Sequence, residues 1–577
     1  MSTGRVRGGV SHCVAALLFV SMVGGPRAYA QAPQDIERAQ REAQRILQEE
    51  QQREQIRRRE LEERMRTPRG ETLTPKAPQK PAAPSERCVN IERVELEGAT
   101  ALSDADRQNL LRAYLGRCVG LAEINQLLQD ITNHYIARGY TTTRAYIPEQ
   151  DMSSGVLRIL VLEGIVEKIM LKGEGVSLAT AFPGLEGKLF NLREFEQGLD
   201  QINRLRSNNA TIDIAPGSAP GTSIIEVSNS PGKRWWLTLA NDNTGSKSTG
   251  RHQTSLTLGL DDPLGLNDYL NLSLRINPDA GGDKLSRAIA AYYAVPYGPW
   301  TFSFNATDFE YRSIVHGQFF DFDTSGTSRT QALRVERNMY RDQRTKFSLS
   351  AGLTLKDNKN YINDELIEAG SRRLTIADIG ANLSLNALGA FWSFDLGYGR
   401  GLKSFGALED PDGWPADAPQ AQFERFTYGL SFSMPMQAGE TQLVWQSMFS
   451  GQYSPDVLHG TEQISIGSPF TVRGYRKSSI AGDTGWFWRN EIGVPLQLSV
   501  LGEGLPPGRI RPFLGYDVGH INARGESPGG TLTGFTAGVD LYTGPFSIQI
   551  AYSIADRMPS NFNSNEKSFY FRIAMDL

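Results

Sequence analysis

The residues able to make or break bonds are few in this chain of 577, and they are not gathered into a site. Metal-assisted hydrolysis needs ligands at fixed helical spacing, yet no His-Glu-x-x-His run occurs and the six histidines are scattered. His134 falls on the polar flank of a helical pattern and reads as structural. Phosphoryl transfer needs a glycine-rich loop ending in Gly-Lys-Ser/Thr, which is also missing. These patterns predict a protein that is not an enzyme and holds no cofactor. The charged motifs that stand out are of another kind. Val472-Arg473-Gly474-Tyr475 sits in a long stretch between strand patterns, and Gly515-Tyr516-Asp517-Val518-Gly519 sets one acid between two glycines. An arginine and a carboxylate drawn together out of water form a strong charge-assisted bond, and glycines let a loop approach a wall closely. That is chemistry for holding parts in place.

Composition narrows the setting. Arg5 and Arg7, an apolar run over 14–23 and then Ala28-Tyr29-Ala30 follow the order of a secretory signal peptide, so residues 1–30 should be removed. No later stretch of about eighteen apolar residues could form a spanning helix. The exported chain is therefore soluble or a β-barrel. A net charge of −4 gives no basic patch for nucleic acid. Of three cysteines, Cys88 and Cys118 remain after cleavage, and an even count in an oxidising compartment favours a disulfide over two buried thiols.

Residues 31–66 are mostly Glu, Arg and Gln with sparse apolar positions, the pattern of one long, wet helix. The run 34–66 would be nearly 50 Å long, against an apolar barrel height of about 25 Å. Residues 67–87 carry Pro68, Pro75, Pro78, Pro81 and Pro84 and read as an extended linker. Residues 88–164 then give a strand over 89–96, a helix started by Ser103 with Asp106, a second helix with Ile124, Leu127, Ile131 and Tyr135 on one face, and strands over 141–147 and 156–162. The β-α-α-β-β order returns over 165–231, with a helix capped by Asn191 and closing strands over 211–215 and 223–227.

Residues 232–577 lose the helical period. Leu256, Leu258 and Leu260, and then Leu270, Leu272 and Leu274, alternate with polar residues between Gly, Asn, Asp and Pro clusters. Turn signals divide the segment into about sixteen antiparallel strands, too many for one soluble sandwich but suited to a transmembrane β-barrel with its apolar face toward lipid. Short and long connections alternate, and Phe569, Phe571, Ile573, Met575 and Leu577 share one face of the last strand.

The ordered set of signal peptide, N-terminal α-helix, two α+β modules and sixteen-stranded barrel resembles the POTRA-barrel superfamily. More narrowly it resembles the two-partner secretion transporters of the haemolysin and filamentous-haemagglutinin systems. Gly139-Tyr140 with Arg144, Tyr146 and Pro148 is similar to their first POTRA signature, and Arg489-Asn490-Glu491 to their strand after the sixth loop. The resemblance implies that loop 452–482 folds into the lumen, where Arg473 meets Asp517 between Gly515 and Gly519. It further implies that the N-terminal helix plugs the pore, and that a large secreted TpsA-type partner (adhesin, cytolysin or contact-dependent toxin) is recognised unfolded by the POTRA modules. The groove would lie in the second module, around 192–206 and 211–215. Periplasmic chaperones and the barrel-assembly machinery would act in biogenesis. An insertase of the same superfamily is the alternative, disfavoured by two modules plus the helix. A passive porin leaves the modules unexplained.

Overall fold

The computed structural model describes residues 26–66, 88–278, 283–317, 320–498, 507–525, 527–559 and 566–577. Most of the expected signal peptide and the whole linker 67–87 lie outside the described residues. Helix α1 spans Pro26–Arg66, so its backbone begins upstream of the expected cleavage point.

The first module contains β1 (Cys88–Ile91), β2 (Arg93–Glu97), α2 (Asp104–Leu111), β3 (Arg117–Gly120), α3 (Leu121–Ala137), β4 (Arg144–Tyr146) and β5 (Val156–Leu162). Ser103 caps α2 by accepting from the Asp106 N–H at 3.2 Å, as its spacing suggests. The single strand expected over 89–96 breaks at Glu92. Its first half pairs with β3, an element missed in the sequence because four residues carry little periodicity, and its second half runs parallel to β5. Cys88 and Cys118 form a disulfide across the β1–β3 pair. The core is the α3 face, Ile124, Leu127, Ile131 and Tyr135, against Leu157, Ile159 and Val161.

The second module has β6 (Ile165–Gly173), the single-turn α4 (Leu178–Ala181), α5 (Leu192–Asn203), β7 (Thr211–Pro216) and β8 (Thr222–Asn229), with sheet order β6-β8-β7. Asn191 caps α5 by accepting from the Arg193 N–H. Phe190, Phe195, Leu199 and Ile202 fill its core with Ile225 and Val227.

From β9 (Trp235–Asp242) to the strand Lys567–Asp576 the chain closes into a barrel. Eighteen strand segments form the ring. Glu365–Leu366 and Leu496–Leu498 are short extensions whose flanking strands pair directly, which leaves sixteen wall strands. The last strand pairs with β9 from Arg572↔Asp242 to Asp576↔Thr238, so no edge is left in a medium that offers no water to unpaired backbone. Leu256, Leu272, Leu274, Leu396 and Leu514 are exposed on the outer wall, the side that meets lipid.

The second module is docked on the periplasmic rim. Arg204, buried, donates to the carbonyls of Asn267 and Ala294 at 2.9 and 3.1 Å. Arg341 on the wall pairs with Glu196 and Asp200 of α5 at 2.5 and 2.9 Å. The turn after the strand Gln253–Asp261 is the seat of α4: Asn267 Nδ2 donates to the Ser177 carbonyl at 2.8 Å.

Candidate functional site

Loop 6, residues 454–484, leaves the strand Thr441–Tyr453 and turns inward. Within it Ile464–Ile466 pairs with Ile480–Gly482 as a hairpin, and Ile464, Ile466, Val472, Tyr475 and Ile480 pack on Phe487, Ile521 and Leu532 of the wall. These two short strands were invisible in the sequence, since the pairing depends on the wall they lie against. The apolar packing seats the loop, and one arginine sets its register.

Arg473 is buried and grips Asp517 with a two-pronged bond, Nε to Oδ2 at 2.6 Å and Nη2 to Oδ1 at 2.8 Å. Its own backbone N–H donates to Oδ2 at 3.1 Å. The third guanidinium nitrogen donates to Glu491 Oε1 at 2.5 Å. Glu491 also accepts from Arg511 at 2.8 Å, and Arg511 in turn bonds Asp540 at 2.9 Å. Arg489 stands 3.7 Å from Glu491 and donates to the Pro469 carbonyl, so its role is to close the network, whereas Asn490 faces away and accepts from Ser447. Sequence reading singled out Asp517 as the partner and kept Glu491 only as part of a strand motif. Alternation along the strand Gly485–Gly493, which puts 489 and 491 on one face, was the available signal.

The glycines answer to space. A Cβ on Gly515 would stand 2.6 Å from Arg473 Nη2, and one on Gly519 would stand 2.8 Å from Val472 Cγ2. Gly474 has φ +106° and passes against the Ala555 backbone. The hydroxyl of Tyr475, wholly buried, lies 2.7 and 2.6 Å from the carbonyls of Thr533 and Arg557.

Helix α1 lies inside the lumen against loop 6. Ala43, Ile46 and Leu47 pack on Ala288, Phe309 and Tyr311 of the wall. Toward the outside Ala39 meets Val315 and Ile362, and toward the periplasm Leu61 meets Tyr269, Tyr292 and Leu205. Gln52 donates to the Ser465 carbonyl at 2.7 Å, Arg53 to the Thr244 carbonyl at 2.7 Å, and Glu50 is ion-paired with Arg275. Composition made the helix look too polar for a buried face. A polar wall removes that objection, because glutamines and charges find partners there.

The first-module motif is a joint. Gly139, at φ +95°, accepts from the Leu192 N–H at 2.8 Å, and a Cβ there would reach 2.4 Å from Asn191 Oδ1. Tyr140 packs edge-on to Tyr135, and Arg144 donates to the carbonyls of Thr141 and Thr143 at 2.8 and 2.7 Å. Tyr146 is exposed on β4, and Pro148 lies in the turn that follows, where its carbonyl accepts from Gln150. Nearby, burial and then Arg138 lower the pKa of His134, which stands 3.6 Å from Asp106, consistent with a structural role.

A closed outer-membrane barrel with an inward-latched loop, a lumen helix and two periplasmic POTRA modules defines a POTRA-barrel transporter. The model of the haemolysin secretion/activation proteins ShlB/FhaC/HecB matches residues 221–541, a ShlB-type POTRA model matches 89–164 and a further POTRA model matches 165–216. The chain belongs to that family of two-partner secretion transporters. It is 33% identical to the outer membrane transporter CdiB of Dickeya dadantii (strain 3937), over 80% of this chain and 82% of that protein. It is 35% identical to the hemolysin transporter protein ShlB of Serratia marcescens, over 78% and 79%. The solved structure of CdiB from Escherichia coli matches with a TM-score of 0.81 at 30% identity, covering 94% of this chain and 99% of that one.

Proposed function

We propose that this transporter recognises one large, unfolded exported protein at its POTRA modules and passes it through the barrel without nucleotide hydrolysis or any catalysis of its own. The observation that carries this reading is that a separate element, α1, lies in the pore, held to the wall and loop 6 by side-chain contacts and continuous in sequence with the first module through residues 67–87. A permanent pore has no need of a plug on a tether, and a plug that leaves makes room for an extended chain. The lumen then offers the passing chain a polar wall, and folding of the partner outside the cell supplies direction.

Entry at the modules is by strand addition, in which main-chain hydrogen bonds give affinity with little demand on sequence. β7 is an edge of the sheet β6-β8-β7, with Thr211, Asp213 and Ile214 exposed, and it is a suitable receiver. Nine of the twelve residues of α5 are buried, against the module core and the barrel rim, so the receiving surface is the exposed β7 edge. Relatives named as hemolysin transporter proteins support an exported protein as cargo, whether an adhesin, a cytolysin or a contact-dependent toxin.

Deletion of residues 31–66 should raise ion conductance in planar bilayers while the barrel still inserts. Unchanged conductance would remove the plug from the mechanism.

A further inference from the structure

Loop 6 holds a second buried charge that the Arg473 network leaves unexplained. Glu462 closes the single-turn segment Gly460–Glu462 just ahead of the hairpin strand Ile464–Ile466, and its side chain is wholly shielded from water. Its Oε1 accepts from Lys356 Nζ at 2.6 Å and its Oε2 from Arg425 Nη1 at 2.9 Å. Its carbonyl accepts from Gln452 Nε2 at 3.0 Å. These three donors project from the strands Thr345–Ile362, Glu424–Ala438 and Thr441–Tyr453, none of which carries a partner of Arg473.

A carboxylate gives up its hydration only where cations and hydrogen bonds replace it. A loop glutamate with nothing to hold would face the water above the barrel. We propose that Glu462 is a second positioning residue for loop 6: it ties the descending limb to one sector of the wall while Arg473 ties the tip to another. Fastened at both places, the loop spans the lumen as a strut. Helix α1 lies along that strut, with Gln48 Nε2 donating to the Gln463 carbonyl at 3.4 Å, Gln52 reaching Ser465, and Arg53 standing 5.0 Å over the Phe470 ring. Lys356 and Arg425 also line the cavity of about 220 Å³ beside α1, so the anchor is where wall, loop and helix meet. Its consequence for secretion rests on the transport reading above, but the position of the loop does not.

The test uses the full-length protein in outer membranes with a Thr471→Cys substitution. Thr471 is completely buried beside Val472, and the native pair Cys88–Cys118 is closed, so maleimide labelling at 471 reads loosening of the loop. Glu462→Gln should raise the labelling rate about ten-fold or more, since two cations then lose their counter-charge. Lys356→Met should raise it as well, and Glu462→Asp should restore part of the protection. Heat-modifiable migration on gels keeps unfolded barrels out of the comparison. Labelling as slow in both Glu462→Gln and Lys356→Met as in the parent would overturn the anchor. Faster labelling with undiminished secretion would keep the anchor and count against the transport role of the loop.

Discussion

Arg473 uses all of its guanidinium in the lumen, two nitrogens on Asp517 and one on Glu491. A buried charge pair of this kind is costly to break from one side, about 3–5 kcal/mol, because the partner is left charged and dry. Arg473→Ala should therefore abolish or strongly reduce secretion while the barrel still folds and inserts, measured as partner in the medium against heat-modifiable protein in the membrane. Arg473→Lys should fail almost as badly, since an ammonium cannot reproduce the planar fork. Gly515→Ala places a methyl 2.6 Å from Nη2, where real atoms do not stand, and should give a milder form of the same defect. Normal secretion by Gly515→Ala would mean that the loop accommodates the shift.

Among the elements, α1 is held by bonds that are individually weak. Neutral glutamine contacts such as Gln52 to Ser465 each contribute about 0.5–1.5 kcal/mol, and the stripe of Ala39, Ala43, Ile46 and Leu47 buries little area for 41 residues. The ion pair Glu50–Arg275 is the stronger tie. Arg275→Ala should lengthen open events in single-channel recordings without reaching the conductance of the 31–66 deletion; recordings identical to the parent would show that the pair does not restrain the helix. The POTRA joint is stiffer by design of its backbone. Gly139→Ala meets both a left-handed φ and Asn191, so hydrogen exchange should quicken at the start of α5, and unchanged exchange would leave the joint without a role for that glycine.

Over the whole molecule the parts differ in how they are stabilised. The barrel is closed by its own ladder, whereas the first module is a small domain that also relies on Cys88–Cys118, a link across 30 residues. Replacing both cysteines with serine should cost that module about 2–4 kcal/mol and raise its protease sensitivity, with no change in the heat-modifiable migration of the barrel. Loss of barrel migration would show the two to fold as one. Arg204 and Arg341 fasten the second module to the barrel rim.

Much of this was legible in the chain because it is written in short-range patterns. Period-two alternation across the C-terminal part suited a lipid-facing barrel better than a soluble sandwich, helical spacing at Ile124, Leu127 and Ile131 pointed to a packed module, and paired cysteines in an exported chain favoured a bridge. Resemblance supplied the meeting of Arg473 with Asp517. Periodicity could not supply Glu491 as a third partner, the hairpin inside loop 6, the burial of Glu462, the β3 strand or the joint at Gly139. Each of these depends on which surface lies opposite, and that is set by closure of sixteen strands and by docking of a module on their rim. Local sequence determines which face of an element is greasy; only the assembled wall decides which buried charge finds its counterpart.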